Sequence, residues 1–125
     1  MTTRQAILIV DHGSRQAEAN ELVVSIAERV RRLRPQLHVE HAHMEIADPD
    51  FFEGVAACVR AGAREIIVQP YFLGEGRHTR ETIPALIDEA ARQYPAIAFR
   101  LSAHLGLHDK LVEVVLERIR EVLDS

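Results

Sequence analysis

A chain of 125 residues, 47% apolar and 27% charged, has the composition of one globular domain, large enough for a real core and too small for two. Lys and Arg number 15 against 19 Asp and Glu, and the resulting net charge of −4 argues against a general nucleic-acid or membrane-surface binder. No window approaches the roughly 18 continuous apolar residues of a membrane-spanning helix. Met1-Thr2-Thr3-Arg4 passes straight into a strand pattern with no signal peptide, so the expectation is a cytoplasmic single domain over residues 1–125. Cys58, the one cysteine, lies among Ala56, Ala57 and Val59 and reads as a packed core thiol.

Ala6-Ile7-Leu8-Ile9-Val10 is a short apolar run suited to a parallel strand buried on both faces. That strand, over about 5–11, ends in Asp11-His12-Gly13-Ser14-Arg15. A helix follows, with Ala19, Leu22, Val23, Ile26, Val30 and Leu33 on one stripe and Pro35 beyond its end. Residues 37–45 predict a second strand, with Leu37, Val39, His41, His43 and Glu45 sharing one parity. Asp48-Pro49 reads as the N-cap and first residue of a second helix, which carries Phe51, Phe52, Val55, Ala56 and Val59 and stops at Gly62.

A third strand is predicted over about 65–72. The long loop after it contains Gly74, Gly76, Arg77, His78 and Arg80, the two glycines lending it backbone freedom. Because Pro84 is tolerated best in a first helical turn, the third helix is predicted to start near Thr82 or Ile83, leaving His78 on a mobile loop. That helix carries Ile83, Leu86, Ile87, Ala90 and Tyr94 and stops at Pro95. A fourth strand over about 97–102 leads through His104, Gly106 and His108 to a last helix from about Asp109. Its apolar positions are Leu111, Val112, Val115, Ile119, Val122 and Leu123.

Four strands alternating with four helices predict an α/β fold: an open parallel sheet in the order 2-1-3-4, with helices on both faces. Ligands of such sheets bind outside the carboxyl ends of the strands, at the topological switch between strands 1 and 3. His12, Glu45 and His78 follow strands 1, 2 and 3 at intervals of 33 residues, one strand–helix unit each. Two imidazoles and a carboxylate at one mouth suit a borderline divalent cation such as Fe, Co, Ni or Zn.

Each of these residues also has a plainer reading, as a surface histidine or a solvated strand end. His43, nearest the end of its strand, is an auxiliary ligand or substrate contact in the functional reading. His38 reads as solvent-facing, and His104 and His108 are placed to line the mouth. His12-Gly13-Ser14-Arg15 has a competing reading as a phosphate cradle at a helix N-terminus, although neither G-x-G-x-x-G nor G-x-x-x-x-G-K-[ST] is present. Without a G-x-S-x-G elbow, Ser14 reads as a helix N-cap or anion hydrogen-bonding group rather than a nucleophile.

At these residues the chain resembles the half-size class II chelatases, the small CbiX/SirB-type enzymes of sirohydrochlorin metallation. The matching pieces are Val10-Asp11-His12-Gly13-Ser14-Arg15 and Met44-Glu45-Ile46-Ala47-Asp48-Pro49 at the first two strand ends. Pro70-Tyr71-Phe72-Leu73 with Gly76, His78, Ile83 and Pro84 follows at the third, and Leu105-Gly106-Leu107-His108 at the fourth. The chain departs from the pattern at Thr82, where an acidic residue is expected, and at His43, where a bulky apolar one is.

The resemblance implies a sheet of the chelatase or flavodoxin-like half-unit type and insertion of Co²⁺, Fe²⁺ or Ni²⁺ into sirohydrochlorin or a related tetrapyrrole. It implies His12 and His78 as metal-handling and catalytic histidines, with Glu45 as the carboxylate of the same cavity. A base active near neutral pH removes the pyrrole protons, a task suited to histidine with its ordinary pKa near 6.5. Arg15, Arg77 and Arg80, with Ser14 and Gly76, are the candidate contacts for an anionic macrocycle. The metal is then a substrate and no permanent cofactor is implied. Resemblance to two-lobed relatives implies a homodimer, with the stripe of the first or last helix as its interface. The rival reading is a non-enzymatic metal-delivery module using the same His12, His43, Glu45 and His78.

Overall fold

A computed structural model describes residues 4–124 of the chain. The expected domain over 1–125 and the reading of Met1-Thr2-Thr3 as no leader therefore extend in part outside the described residues. Strands β1 (Gln5–Asp11), β2 (His38–His43), β3 (Glu65–Pro70) and β4 (Ala98–Leu101) alternate with helices α1 (Ala17–Leu33), α2 (Phe51–Arg60), α3 (Arg77–Gln93) and α4 (Asp109–Leu123). The strands form one parallel sheet in the order β2-β1-β3-β4, as the alternation predicts.

The register places Ile7 between Val39 and Ile67, and Val10 between Ala42 and Pro70. On one face Ala6, Leu8, Val10, Ile66 and Val68 are sealed beneath Phe51, Val55 and Cys58 of α2 and Ile83 and Ala90 of α3. Burial pushes the Cys58 thiol up to about 12, in keeping with a packed, unreactive side chain. On the other face Ile9 and Val39 pack against Val23 and Ala27 of α1. These three helices reach the sheet because their apolar residues recur at helical spacing. Gly54 lets α2 approach closely, since a Cβ there would lie 2.7 Å from Leu8 Cδ1.

β3 ends at Pro70, two residues short of the expectation, and three other boundaries differ in ways that bear on the site. The second helix starts at Phe51 and is capped by Asp50, not Asp48. The Asp50 carboxylate accepts from Glu53 N at 2.9 Å, and Glu53 accepts from Asp50 N at 3.1 Å, a reciprocal box that satisfies two orphan donors. β2 stops at His43, whose N–H turns to the Pro49 carbonyl at 2.9 Å, so Glu45 lies beyond the strand.

The third difference concerns His78. α3 begins at Arg77 with Gly76 as its N-cap, so His78 stands in a helical first turn and not on a loop. Thr79 is buried, and its hydroxyl donates to the Gly76 carbonyl at 3.0 Å. Pro84 sits well inside the helix. An interior proline costs about 3 kcal/mol in helix propensity, and burial of Thr79 and Ile83 holds the helix across it. Nor do the two loop glycines need their freedom: Gly76 has φ −84°, and a Cβ at Gly74 or Gly76 would meet nothing within 4 Å.

Replacing Asp50 by alanine is expected to lower stability by about 1 kcal/mol through loss of the cap. Urea denaturation followed by circular dichroism measures this, and Asp48→Ala is expected to leave the midpoint nearly unchanged.

Candidate functional site at the carboxyl edge of the sheet

His12 follows β1 directly, and its ring lies against Phe72 with centroids 4.5 Å apart and planes inclined by 34°. Phe72 is buried and comes from the segment after β3. That segment continues alongside β1, because Tyr71 N donates to Val10 O at 2.7 Å. An aromatic ring from the segment after the neighbouring strand thus supports the imidazole.

Glu45 is brought to His12 by the backbone. Beyond the last strand residues, Met44 N donates to Asp11 O at 2.8 Å and Glu45 N donates to His12 O at 3.2 Å. This close approach requires Gly13, which has φ +89° and whose Cβ, if it had one, would stand 1.9 Å from the Glu45 carbonyl oxygen. Immediately after Glu45 the chain reverses: Ala47 N donates to Glu45 O at 2.9 Å around Ile46, which has φ 77°. A three-residue turn with a β-branched residue at positive φ is rare and strained. Ile46 is also exposed, so no packing of its side chain accounts for that conformation.

His43 and Asp11 connect the two strand ends from beneath. His43 is 1% exposed, and its Nδ1 lies 2.5 Å from Asp11 Oδ1. With Nδ1 so committed, only Nε2 remains for another partner. His41 stands edge-on to His43, and burial together with that neighbouring imidazole lowers its pKa. His41 is therefore neutral at pH 7.

Ser14 is held by a residue that sequence reasoning passed over. Asn20 accepts from Ser14 N at 2.9 Å and donates to Ser14 O at 2.8 Å, while the Ser14 hydroxyl accepts from Gln16 N at 3.0 Å. The N-cap of α1 is Gln16, so Ser14 braces the turn before the helix and is not its cap. Arg15 is exposed beside it. Asn20 could be found in advance only from this six-residue loop closure, which its place on the α1 stripe conceals.

His78, Arg77 and Arg80 are exposed on the first turn of α3, after the neighbouring strand. Arg77 reaches Glu81 at 3.6 Å, and Arg80 reaches Glu75 at 4.0 Å. Glu75 also approaches His104 Nδ1 at 3.6 Å, linking the α3 start to the segment after β4. Between them is a recess of about 490 Å³ that includes Thr79, Arg80, Ile83, Pro84 and Ser102. His108 is spent on the N-cap of α4, its Nδ1 accepting from Lys110 N at 3.1 Å.

His12, Glu45 and His78 thus follow three adjacent strands at one edge of the sheet, and the first two are joined by a hydrogen bond. Among the described residues no group of three His, Cys, Asp or Glu side chains stands at distances that would hold a metal ion. No helix among the described residues is long and apolar enough to cross a membrane.

A family model described as CbiX matches residues 6–122. The chloroplastic sirohydrochlorin ferrochelatase of Arabidopsis thaliana is 38% identical over 94% of this chain, which covers 52% of that protein. The chain spans about half or less of the length of this relative and of the Priestia megaterium and Bacillus subtilis ones that it also matches. The sirohydrochlorin chelatase SirB of Bacillus subtilis subspecies spizizenii, solved in complex with cobalt, superimposes with a TM-score of 0.89 and 31% identity, over 96% of this chain and 51% of SirB. A CbiX protein of Marinobacter aquaeolei VT8 has similar length: TM-score 0.83, 27% identity, 96% of this chain and 98% of that one.

Gly13→Ala is expected to cost at least ~2 kcal/mol, because it adds strain at positive φ and a clash with the Glu45 carbonyl. Ile46→Gly is expected to act in the opposite sense, raising stability by about 1 kcal/mol as relief of backbone strain exceeds the added unfolded-state entropy. Urea midpoints of the two variants against the parent check both signs.

Proposed function

The chain belongs to the CbiX family, and from that premise we propose that it inserts a divalent cation, Co²⁺ or Fe²⁺, into sirohydrochlorin or a related tetrapyrrole. The observation that carries the reading is the hydrogen bond from Glu45 N to His12 O at 3.2 Å, one strand away from the α3 start that bears His78. It sets a carboxylate residue and an imidazole residue side by side at the ends of β2 and β1, while β3, which leads to His78, lies on the other side of β1 across the switch point.

Metal insertion removes two pyrrole protons as one dication enters, so the macrocycle core keeps its overall charge. His78 is the leading proton acceptor in this scheme, and His12 with Glu45 receives and hands over the metal; the two histidines are interchangeable in these roles. A handover site must hold its metal loosely. In this scheme the metal is a substrate and no permanent cofactor is implied.

Arg15, Arg77 and Arg80 supply cations for peripheral carboxylates, Arg being suited to paired hydrogen bonds. Ser14 lies on the braced turn beside Arg15. A side-chain Cβ at Gly74 or Gly76 would meet nothing within 4 Å, so neither residue crowds the segment between β3 and α3. One such domain offers a single wall, and we infer a homodimer in which two copies enclose the macrocycle. The match to 51% of the SirB chain supports this reading, since that relative carries about twice the length.

An anaerobic absorbance assay tests the proposal, with purified protein, sirohydrochlorin and Co²⁺, Fe²⁺ or Ni²⁺ in separate runs beside a no-protein control. Catalysed loss of the free tetrapyrrole spectrum is expected, slowed at least ~100-fold by His12→Ala or His78→Ala, the usual scale for loss of a general base. Arg77→Ala and Arg80→Ala are expected to raise KM more than they lower kcat. No acceleration over the control, together with tight stoichiometric metal binding, would replace the enzyme reading with that of a metal-delivery module.

A further inference from the structure

The turn after Glu45 is dictated by the backbone, but the residue at its centre is not. Glu45 O stands against Gly13, where no Cβ would fit, and accepts from Ala47 N at 2.9 Å, so the chain must reverse at residue 46. Glycine or asparagine adopts the required positive φ far more readily than a β-branched residue. Isoleucine stands there instead, at φ 77°. Its side chain is 62% exposed and takes part in neither core cluster of the described residues, so packing does little to offset the strain. Strain of this kind points to a side chain kept for something outside the folded chain.

The surroundings of Ile46 narrow what that is. Ile46 follows Glu45 directly, and Glu45 N donates to His12 O at 3.2 Å. All three residues are exposed at the carboxyl edge of the sheet. Their neighbours in the chain are polar: Ser14 and Arg15 come after His12, and Asp48 comes after Ala47. Across β1, Leu73 is likewise exposed, directly after the Phe72 that lies against the His12 ring. β2 and β3 flank β1, so Ile46 and Leu73 issue from strands about 10 Å apart, with His12 after the strand between them. Two exposed apolar side chains astride a polar centre suit a ligand that is polar in the middle and apolar around it. A tetrapyrrole has that form, four nitrogens ringed by pyrrole carbons, whereas a bare metal ion has no use for apolar surface.

We propose that Ile46 contacts the substrate, resting against the pyrrole carbons of the macrocycle on the β2 side while Glu45 and His12 serve its nitrogens and the metal. Leu73 is its counterpart on the β3 side. Residues that would relieve the turn, glycine or asparagine, offer the ligand no comparable apolar surface, and the strain is retained for that reason. The proposal rests on the tetrapyrrole reading above and assigns Ile46 to the macrocycle, not to the metal.

Three substitutions test it. Ile46→Gly and Ile46→Asn suit the turn and remove the apolar surface, whereas Ile46→Leu keeps the surface. Sirohydrochlorin binding is followed by absorbance titration without metal, Co²⁺ binding by calorimetry without sirohydrochlorin, and KM and kcat by the metallation assay. The glycine and asparagine variants are expected to bind sirohydrochlorin about 10-fold more weakly, the scale for loss of an apolar contact in a pocket. KM is expected to rise to match, with kcat and Co²⁺ binding unchanged. Ile46→Leu is expected to bind nearly as the parent does. So is Leu33→Ser, which removes an equally exposed leucine at the far end of α1. Ile46→Gly is then more stable and weaker in binding at once, a combination that damage to the fold does not produce. Unchanged sirohydrochlorin binding in both turn-relieving variants overturns the contact. A fall in kcat at constant KM also overturns it, because Ile46 then acts only by holding Glu45. A parent protein that neither binds nor metallates sirohydrochlorin defeats the tetrapyrrole reading and this assignment together. A parent that metallates it, with variants that match its KM, defeats only the assignment of Ile46.

Discussion

The carboxyl edge of this sheet depends on one close approach, that of the Gly13 backbone to the Glu45 carbonyl. Any side chain at residue 13 would occupy the space of that oxygen, since the Cβ position lies 1.9 Å from it. Only because the approach is allowed can Met44 and Glu45 extend the β1–β2 ladder past the strands, to Asp11 and His12. The Asp11–His43 pair lies under the same junction, in a setting where both polar side chains are largely shielded from water. A buried charged or polar pair is costly to break because the partner left behind loses both water and hydrogen bond. Closeness of the two backbones and retention of the pair therefore enforce one another.

The local rules that fail do so around this junction. Ile46 takes a positive φ, which a β-branched residue adopts rarely, next to the residue assigned the metal-handling carboxylate. Such conformations persist when the surrounding structure over-determines them. Here the constraints are the ladder before Glu45 and the return of Pro49 to the His43 N–H after it. The chain must leave His12 and be back at β2 within five residues, and the tight turn at Ile46 is how it does so.

Much of the architecture was legible in the sequence because it follows from local pattern. The apolar runs of β1 and β3 and the start of α4 at Asp109 stand where periodicity and turn residues put them, and alternation implied the strand order. The start of α3 was not legible, because Pro84 argues for a later start and only the tertiary burial of Thr79 and Ile83 overrules it. The D-x-x-E box at Asp50 was hidden behind the more conspicuous Asp48-Pro49. At the site, His12, Glu45 and His78 were selected from residue type and spacing. Their supports were not, since Asp11 opposite His43 and Phe72 beneath His12 are consequences of register. An amphipathic stripe looks the same in sequence whether its own chain or another buries it, so the sequence left the first and last helices as equal candidates for an uncovered stripe, and only the structure shows that it is α4 that has no buried residue.

The exposed helix and the site are not separate features. α4 leaves from Gly106, whose N–H is bound to Leu73 O, and the preceding Leu105 is bound to Phe72 O. Phe72 in turn carries the His12 ring. Whatever orders α4 therefore also fixes the backbone on which the His12 platform rests, two hydrogen bonds and one ring contact away. A partner that binds α4 in the folded state stabilises that state by mass action. The same association limits the freedom of residues 72–73 and hence of the imidazole. Under the proposed dimer, contact at α4 would be coupled to the His12 ring through the connection between β4 and α4.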